Sequence, residues 1–357
     1  MKTTHFSVII LGAGIGGYYT FETLKKTFLA SHKDANILLI DRHPFTQFLP
    51  IMHQIVSHRI CPNTAHALFT EIADNRAETL RATIQKIDAE HHSVETSEGT
   101  FTFDYLVTAM GSEVAYFGTP GAEKYSYRVN ALPEAMRLRD AIDSIKQNKE
   151  PKHICIVGGS YTGVEVAGEI ADRIGKNSPH SITLLDGSQI LSSMPKRVQR
   201  IAKKRLTKLN VTIKENTRAT EVTEKTLSTN DGKILPSNIT VWAGGCKNIG
   251  NLFFSENDTQ NGRVLVDNFL RLKNFPHIYC IGDICGATHG IKQCPLPQNG
   301  SVAHEEAVFV AEHIAKLHKK EESAPFTHKT ADTIVMSIGA WYGIFSYKSF
   351  AFGGIIP

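Results

Sequence analysis

A glycine-rich turn between an apolar strand and a helix occurs twice in this chain, and it constrains the fold more than any other feature. The run FSVIIL at residues 6–11 is typical of a strand buried on both faces, and GAGIGG follows it at 12–17. The same order returns at 153–186, where HICIVGG, a helical stretch and SITLLD follow one another. Two such βαβ units predict an α/β protein with two Rossmann-like dinucleotide-binding domains.

The first turn carries the full dinucleotide-binding fingerprint. Gly12 permits a tight bend, Gly14 lets the backbone approach a pyrophosphate, and Gly17 lets the helix pack on the strand. The phosphates would then lie at the N-terminal amides of the helix, where the helix dipole favours negative charge. Asp41 ends the next strand, where a carboxylate can accept hydrogen bonds from both ribose hydroxyls. The alternative, a glycine turn with a surface aspartate, fits this strand–turn–helix context less well.

The second turn departs from the fingerprint at one position. Gly158 and Gly163 occupy the outer glycine positions, but Ser160 stands where the middle glycine is expected. A serine still offers its amide and adds a hydroxyl, so we expect the phosphates to lie slightly further out. Asp186 closes the following strand. An acid at this place repels a 2′-phosphate and therefore predicts NADH rather than NADPH.

Composition sets outer bounds on the function. The 357 residues suggest two or three domains, and 41% hydrophobic residues allow large cores. A net charge of +4 is too small to indicate a nucleic-acid partner. The cysteines form no CxxC pair, and no metal site is predicted. Neither a signal peptide nor an apolar run of about 18 residues is present, so we expect a cytoplasmic protein.

The order of segments resembles the flavoproteins with two dinucleotide-binding domains, and among them the type II NADH dehydrogenases, which are NADH:quinone oxidoreductases. The resemblance covers nearly the whole chain. Beyond GAGIGG and Asp41, it is carried by PFTQFLP at 44–50, YLVTAMGSE at 105–113, VGGSYTGVEVAGEIAD at 157–172, VWAGG at 241–245 and CIGDICG at 280–286.

The resemblance implies FAD and NAD(H) as cofactors, and a non-proton-pumping transfer of electrons from NADH through the flavin to a quinone. It also implies that Asp283 holds the ribityl chain of the flavin. The predicted cofactor-binding residues are Gly12, Gly14, Gly16, Gly17, Asp41, Arg42, Ala109, Gly111, Gly282 and Asp283 in the FAD segments, and Gly158, Ser160, Tyr161, Thr162, Gly163, Glu165, Asp186 and Gly244 in the NAD(H) segments.

The predicted architecture is a pair of three-layer ββα domains, with the second inserted in the first. Residues 1–116 and 265–325 are expected to form the FAD-binding domain, and residues 117–264 the NAD(H)-binding domain. Residues 326–357 are expected to be a short C-terminal region, interpreted as a truncated membrane-anchoring part or as the end of a protein without that anchor.

Two glutamates are the candidate catalytic residues. Glu169 is expected to tune the contact between nicotinamide and flavin, with a helix acid placed for the dipole as the alternative. On the acceptor side, the resemblance places Ser301, Glu305 and Glu306 where the family usually carries spaced glutamines. Glu305 could relay protons to a reduced quinone there, or the change could signal a different acceptor.

Other functions stay open at this stage. A sulfide:quinone oxidoreductase would use cysteines near the flavin such as Cys285 or Cys294, whereas a disulfide reductase is nearly excluded because residues 40–61 contain only Cys61. Cys155 and Cys280 lie in apolar runs and are interpreted as core residues. A third alternative is a flavoprotein that senses NADH or reduces a protein partner.

The partners are expected to be small molecules, with a homodimer left open. A helix with Arg197, Arg200, Lys204 and Lys208 on one side could rest on the cytoplasmic face of a membrane, although a solvated basic face is the commoner outcome.

Overall fold

The computed structural model describes residues 4–289, 294–329, 333–348 and 350–355. Its α-helices are α1 Ile15–Ser31, α2 Met52–Val56, α3 Phe69–Ile72, α4 Ala122–Tyr125, α5 Leu132–Lys146, α6 Tyr161–Ile174, α7 Lys196–Lys208 and α8 Gly300–His318. Its strands are β1 Thr4–Leu11, β2 Ile37–Asp41, β3 Phe45–Gln47, β4 His66–Leu68, β5 Ala77–Arg81, β6 Ile84–Asp88, β7 Ser93–Thr96, β8 Gly99–Thr108, β9 Ser112–Val114, β10 Ser126–Tyr127, β11 His153–Val157, β12 Ser181–Leu185, β13 Val211–Lys214, β14 Ala219–Val222, β15 Thr226–Thr229, β16 Ile234–Pro236, β17 Ile239–Trp242, β18 Cys246–Asn248, β19 Thr259–Gln260, β20 Arg263–Val264, β21 Arg271–Leu272, β22 Phe275–Cys280, β23 Thr288–His289, β24 Cys294–Pro295, β25 Thr333–Ser337, β26 Gly343–Tyr347 and β27 Phe350–Gly354.

The chain forms two compact units. Unit 1 comprises the described residues of Met1–Leu49, His66–Glu113 and Lys247–Lys329, and unit 2 those of Pro50–Ala65, Val114–Cys246 and Thr330–Pro357. These limits differ from the predicted domains mainly in three places. The return to unit 1 comes at 247 rather than 265, the short segment 50–65 belongs to unit 2, and so does the described part of the C-terminal region.

Unit 1 is built on a mainly parallel sheet in the order β21-β22-β8-β1-β2-β5, with β7 and β6 extending it from β8. The central strands β1 and β2 are buried on both faces, as their unbroken apolar runs predict. Helices α1 and α8 pack against each other on this sheet. The Rossmann-like arrangement places the ends of β1, β2, β8 and β22 at the edge where nucleotides bind.

Unit 2 is built on a fully parallel sheet in the order β10-β17-β11-β12-β13. A small antiparallel sheet, β14-β15-β16, is also part of the unit, and β25, β26 and β27 form an antiparallel meander. The meander packs on α6 and α7. The described residues of the aromatic tail therefore contribute three short strands to unit 2.

Several local expectations can be compared with the structure. Cys155 and Cys280 are buried in β11 and β22, as predicted. The segment 117–125, in which one proline and two glycines favour turns, also contains the short helix α4. None of the helices in the described ranges combines the length and apolar character that a bilayer-spanning segment needs.

Candidate active site

The first glycine turn, residues 12–17, has the geometry of a dinucleotide cradle. Gly12 has a φ of +96°, a conformation that side chains disfavour, and its amide donates to the carbonyl of Ile40 at 2.8 Å. A Cβ on Gly17 would overlap the carbonyl oxygen of Gly12, whereas one on Gly14 would meet nothing within 4 Å. The helix α1 starts at Gly14 without a side-chain cap, so its first amides are left for an anion.

Asp41 at the end of β2 fixes the backbone of this turn by accepting hydrogen bonds from two amides. Its Oδ2 accepts a hydrogen bond from the amide of Ala13 at 2.8 Å, and its Oδ1 accepts one from the amide of His43 at 2.8 Å. An ionised carboxylate has about four acceptor positions, so room remains for a ribose hydroxyl. The predicted ribose contact stays a prediction, and the structure adds a turn-fixing role to it.

The second turn, residues 158–163, repeats this arrangement in unit 2. Gly158 has a φ of +106°, and a Cβ on Gly163 would overlap the carbonyl oxygen of Gly158. Asp186 at the end of β12 accepts from the amide of Gly159 at 2.7 Å, as Asp41 does from Ala13. The helix α6 starts at the exposed Ser160, whose hydroxyl makes no capping bond.

The other predicted cofactor residues lie at the same two sheet edges. Ala109, Gly111, Gly282 and Asp283 follow the ends of β8 and β22, and the hydroxyl of Ser112 donates to Asp283 Oδ2 at 2.7 Å. A Cβ on Gly16 would press on Ile281, while Arg42 is exposed just after β2. In unit 2, Gly244 follows β17, and Tyr161 and Thr162 begin α6; burial raises the pKa of Tyr161 to about 12.

Glu169 is held by the segment 50–65, and its predicted role at the nicotinamide stays a prediction. It is fully buried on α6, where Arg59 Nη1 donates to its Oε1 at 2.8 Å and the hydroxyl of Ser57 donates to Oε2. Burial raises the pKa of Glu169, although Ser57 and the Arg59 guanidinium oppose that shift. Both carboxylate oxygens therefore bind the segment 50–65, which makes Glu169 an anchoring residue.

Glu165, one helical turn earlier, lines a cavity of about 380 Å³ within unit 2. Its Oε1 accepts from the amide of Ser337 at 3.1 Å, and its Oε2 lies 3.5 Å from His53 Nδ1. His53 Nε2 lies 2.9 Å from the hydroxyl of Ser337, and Trp341 and Arg59 line the same cavity. Burial raises the pKa of Glu165 to about 8 and lowers the pKa of His53 to about 4, so burial favours the neutral form of both groups.

Sequence reasoning missed His53, Arg59, Ser337 and Trp341 as partners of this cavity. His53 lies in α2 and Arg59 shortly after it, whereas Ser337 ends β25 and Trp341 lies in the turn before β26, far along the chain. The only signal was the PFTQFLP segment, which directly precedes α2.

Glu305 and Glu306 lie side by side in α8 but point to different partners. The Oε2 of Glu305 is 2.8 Å from His328 Nδ1 and accepts from the amide of Lys329 at 3.1 Å. Glu306 is fully buried, and its Oε2 accepts from the amide of Gly282 at 2.5 Å. Glu305 is thus held by the chain that follows α8, whereas Glu306 reaches the turn that carries Asp283.

Cys285 is fully buried beside this turn, and its sulfur accepts from the amide of Ala287 at 3.4 Å. Burial raises the pKa of the Cys285 thiol well above its usual range. A thiol in this state is a poor nucleophile. The side chain of Cys294 lies outside the described residues.

The fold is shared with solved oxidoreductases. NDH2 from Plasmodium falciparum, solved in complex with NADH, aligns with a TM-score of 0.84 and 18% identity over 99% of this chain and 92% of that chain. The sulfide:quinone oxidoreductase of Aquifex aeolicus aligns with a TM-score of 0.80 and 16% identity over 99% and 87% of the two chains. At these identities the comparison shows the two-domain α/β fold.

Curated relatives have similar sequences along most of their length. A type II NADH:quinone oxidoreductase of Staphylococcus saprophyticus is 26% identical over 358 aligned residues, which cover 94% of this chain and 88% of the relative. A demethylphylloquinone reductase of Synechocystis is 27% identical, covering 77% of this chain and 71% of the relative. The pattern of the pyridine nucleotide-disulphide oxidoreductases matches residues 6–307, from β1 into α8, and the chain belongs to that family.

Proposed function

We propose that this protein is a non-proton-pumping NADH:quinone oxidoreductase that binds FAD in unit 1 and NADH in unit 2. The observation that carries the proposal is the pair of equivalent cradles, in which an aspartate at a strand end fixes a glycine turn at the start of an uncapped helix. Its quinone specificity is supported by relatives that bear this activity in their names and align with nearly the whole chain.

The residues fit both nucleotides. When bound, FAD accepts a hydride from NADH and passes two electrons on to the acceptor. The protein binds and orients the phosphates with the open amides after Gly14 and Ser160. Asp186 adds negative charge where NADPH would carry its 2′-phosphate, which favours NADH.

We propose the cavity beside Glu165 as the site for the acceptor, although the resemblance assigned Glu165 to NAD(H) and placed the acceptor side at Glu305 of α8. Its volume suits a small planar head group, and Trp341 and Tyr342 supply aromatic walls. Arg59 uses Nη1 for Glu169 and has further N–H donors for a carbonyl oxygen. In its protonated form, Glu165 is able to donate a hydrogen bond to such an oxygen.

Trp341 reports on this site because it is 74% exposed, whereas Trp242, the other tryptophan of the chain, is buried and donates to the carbonyl of Ala115. A short-chain naphthoquinone should therefore quench the fluorescence of Trp341. Quenching that persists unchanged in Trp341→Phe would place the acceptor elsewhere.

Peripheral contact with an anionic membrane is the second part of the proposal. The basic side chains that the sequence places on one side of α7, Arg197, Arg200, Lys204 and Lys208, are exposed. Phe350 of β27 is 54% exposed, and the Arg197 guanidinium lies 5.5 Å from its ring centre. Basic and aromatic side chains together suit an interfacial surface, and anionic lipid is concentrated in the cytoplasmic leaflet.

Binding to vesicles tests this surface. Vesicles rich in phosphatidylserine should bind the protein at low salt, and Arg200→Glu combined with Lys204→Glu should abolish binding. Equal binding to neutral vesicles would contradict an electrostatic contact.

The sulfide:quinone alternative is less well supported. Such an enzyme needs a reactive cysteine near the flavin, whereas Cys285 is buried with a raised thiol pKa. A flavoprotein that reduces a protein partner differs from a quinone reductase only in its acceptor. Rates of reoxidation of the reduced flavin by quinones and by protein acceptors therefore distinguish the two.

One experiment addresses the whole proposal. The FAD-loaded protein is reduced anaerobically with NADH or NADPH and then mixed with a series of quinones or with sulfide-derived and protein acceptors. We expect rapid reduction by NADH, slow reduction by NADPH and rapid reoxidation by a quinone. A reduced flavin that no quinone reoxidises would refute the quinone assignment.

A further inference from the structure

Glu306 is a buried acid for which neither the fingerprints nor the proposed reaction accounts. It lies in the second turn of α8 and has no exposed surface. Its Oε2 accepts the amide of Gly282, but its Oε1 has no hydrogen-bond partner among the residues that the structure describes. A buried carboxylate oxygen without a partner carries a large desolvation cost, which a bound proton relieves.

The position of this acid links it to the flavin side of unit 1. Gly282 has a φ of +71° and begins the turn that contains Asp283, the residue predicted to hold the ribityl chain. Asp283 is in turn fixed by the hydroxyl of Ser112. One oxygen of Glu306 therefore accepts the backbone amide of a predicted FAD-binding turn, and the other, without a partner among the described residues, is able to carry a proton.

The charges around Glu306 favour its neutral form. Burial is the main cause that raises its pKa to about 8, and Asp283 and Glu305 add to the shift. The amide of Gly282 and the Arg263 guanidinium oppose it. The titratable and charged groups that face Glu306 are Glu305 of α8, Asp283 and Cys285 of the following turn, Cys280 of β22 and Arg263 of β20.

We propose that Glu306 is a redox-linked proton site, which positions the Gly282–Asp283 turn and takes up a proton when the flavin in unit 1 is reduced. The inference rests on the proposed FAD binding. Reduction of flavin at alkaline pH takes up two electrons and one proton and leaves one negative charge. That charge raises the proton affinity of a nearby carboxylate, so Glu306–COO⁻ binds a second proton from solvent and becomes Glu306–COOH.

The flavin midpoint potential as a function of pH tests the proposal. One pH unit is a tenfold change in proton concentration, which for a two-electron couple corresponds to about 30 mV per proton taken up. The wild-type slope should therefore increase from about 30 to about 60 mV per pH unit above roughly pH 8. Glu306→Gln, which cannot titrate, should keep the lower slope across the whole range.

Two further measurements separate this role from a purely structural one. Glu312→Gln changes an exposed acid on the same helix and should behave as wild type. The redox difference infrared spectrum of the wild type at pH 9 should show a protonated carboxyl band appearing on reduction, and Glu306→Gln should lack it. If Glu306→Gln loses FAD, Glu306→Asp replaces it, because an aspartate still titrates. Its shorter side chain should bind the Gly282 amide more weakly, and the slope of midpoint potential against pH should still change.

The outcomes are distinguishable. Equal slopes in wild type and Glu306→Gln, with FAD bound to both and no carboxyl band, would overturn the proton site and leave the proposed function intact. Purified protein that binds no FAD would overturn the proposed function itself.

Discussion

Glu169 provides a direct test of whether an acid of α6 acts on the nucleotide or on the fold. The structure buries its carboxylate completely and binds it to Arg59 and Ser57. We expect Glu169→Gln to destabilise the protein while leaving the rate of flavin reduction by NADH within about twofold of wild type. If Glu169 instead tuned the nicotinamide contact, the rate would fall and the stability would change little.

The magnitude follows from the exposure of the two partners. Removing one member of a buried ion pair costs about 3–5 kcal/mol, because the other charge is left uncompensated. The side chain of Arg59 is 29% exposed, so its charge stays partly solvated after Glu169→Gln and we expect about 2 kcal/mol. For a domain of this size that loss lowers the melting temperature by about 4–8 °C.

Arg59→Met gives the converse perturbation and a pH dependence. Without the guanidinium the buried Glu169 takes up a proton, so its folded-state pKa rises further above the unfolded value. The folded state then binds more protons than the unfolded state, and stability falls as pH rises from about 5 toward the folded pKa. Arg59→Met should therefore melt closer to wild type at pH 5 than at pH 8.

Thermal melting of single and double variants, together with stopped-flow reduction by NADH, measures these effects. Arg59→Met combined with Glu169→Gln should lose less than the sum of the single variants, with a coupling of about 1–2 kcal/mol. Glu224→Gln, which changes an exposed acid of unit 2, is the matched control. An unchanged melting temperature for Glu169→Gln with a large loss of reduction rate would refute the anchoring role.

Three further predictions follow from the turns and the cavity. Gly17→Ala should lose FAD, whereas Gly163→Ala should retain FAD and lose affinity for NADH, because each new Cβ overlaps a carbonyl oxygen within its own turn. Equilibrium dialysis with FAD and NADH measures both affinities, and the opposite pattern would contradict the assignment of the two turns. Asp186→Asn should raise the rate of flavin reduction by NADPH relative to the rate by NADH. An unchanged ratio of the two rates would contradict repulsion of the 2′-phosphate by Asp186. Burial lowers the pKa of His53 to about 4, so its folded form resists protonation, and stability should fall as pH drops from about 6.5 toward 4. His53→Phe should melt with less loss over that range, whereas an equal loss would assign the acid sensitivity to other groups.

The cradles could be predicted because their requirements are local. A tight turn with positive φ admits little besides glycine, and so does a helix packed against its own turn. The sequence pattern alone therefore identifies the four glycines that meet these requirements, Gly12, Gly17, Gly158 and Gly163. Parallel strands then bring the residues at their carboxyl ends to one edge, which gives Asp41 and the other predicted positions a common place.

The environment of the α6 acids could not be predicted in the same way. Glu165 and Glu169 both lie on the helix that follows a nucleotide-binding turn, and that context favours a nucleotide role for each. Their actual partners lie more than a hundred residues away in the chain, at Ser57, Arg59 and Ser337. No period or spacing connects such positions, because the contacts depend on how the segment 50–65 and the β25–β26 turn pack on α6.

Segment 50–65 belongs to unit 2, although unit 1 precedes and follows it, because its side chains bind helices of unit 2. Two polar contacts hold it: Arg59 binds Glu169 at 2.8 Å, and His58 Nε2 lies 2.6 Å from Asp143 Oδ2 of α5. Arg173 of α6 also binds Asp143, so α5, α6 and the segment share one network. These polar side chains therefore hold α2 and His53 at the cavity. A substitution in this network should distort the cavity and leave both glycine turns unchanged. Asp143→Ala should therefore lose quinone turnover while binding FAD and NADH normally.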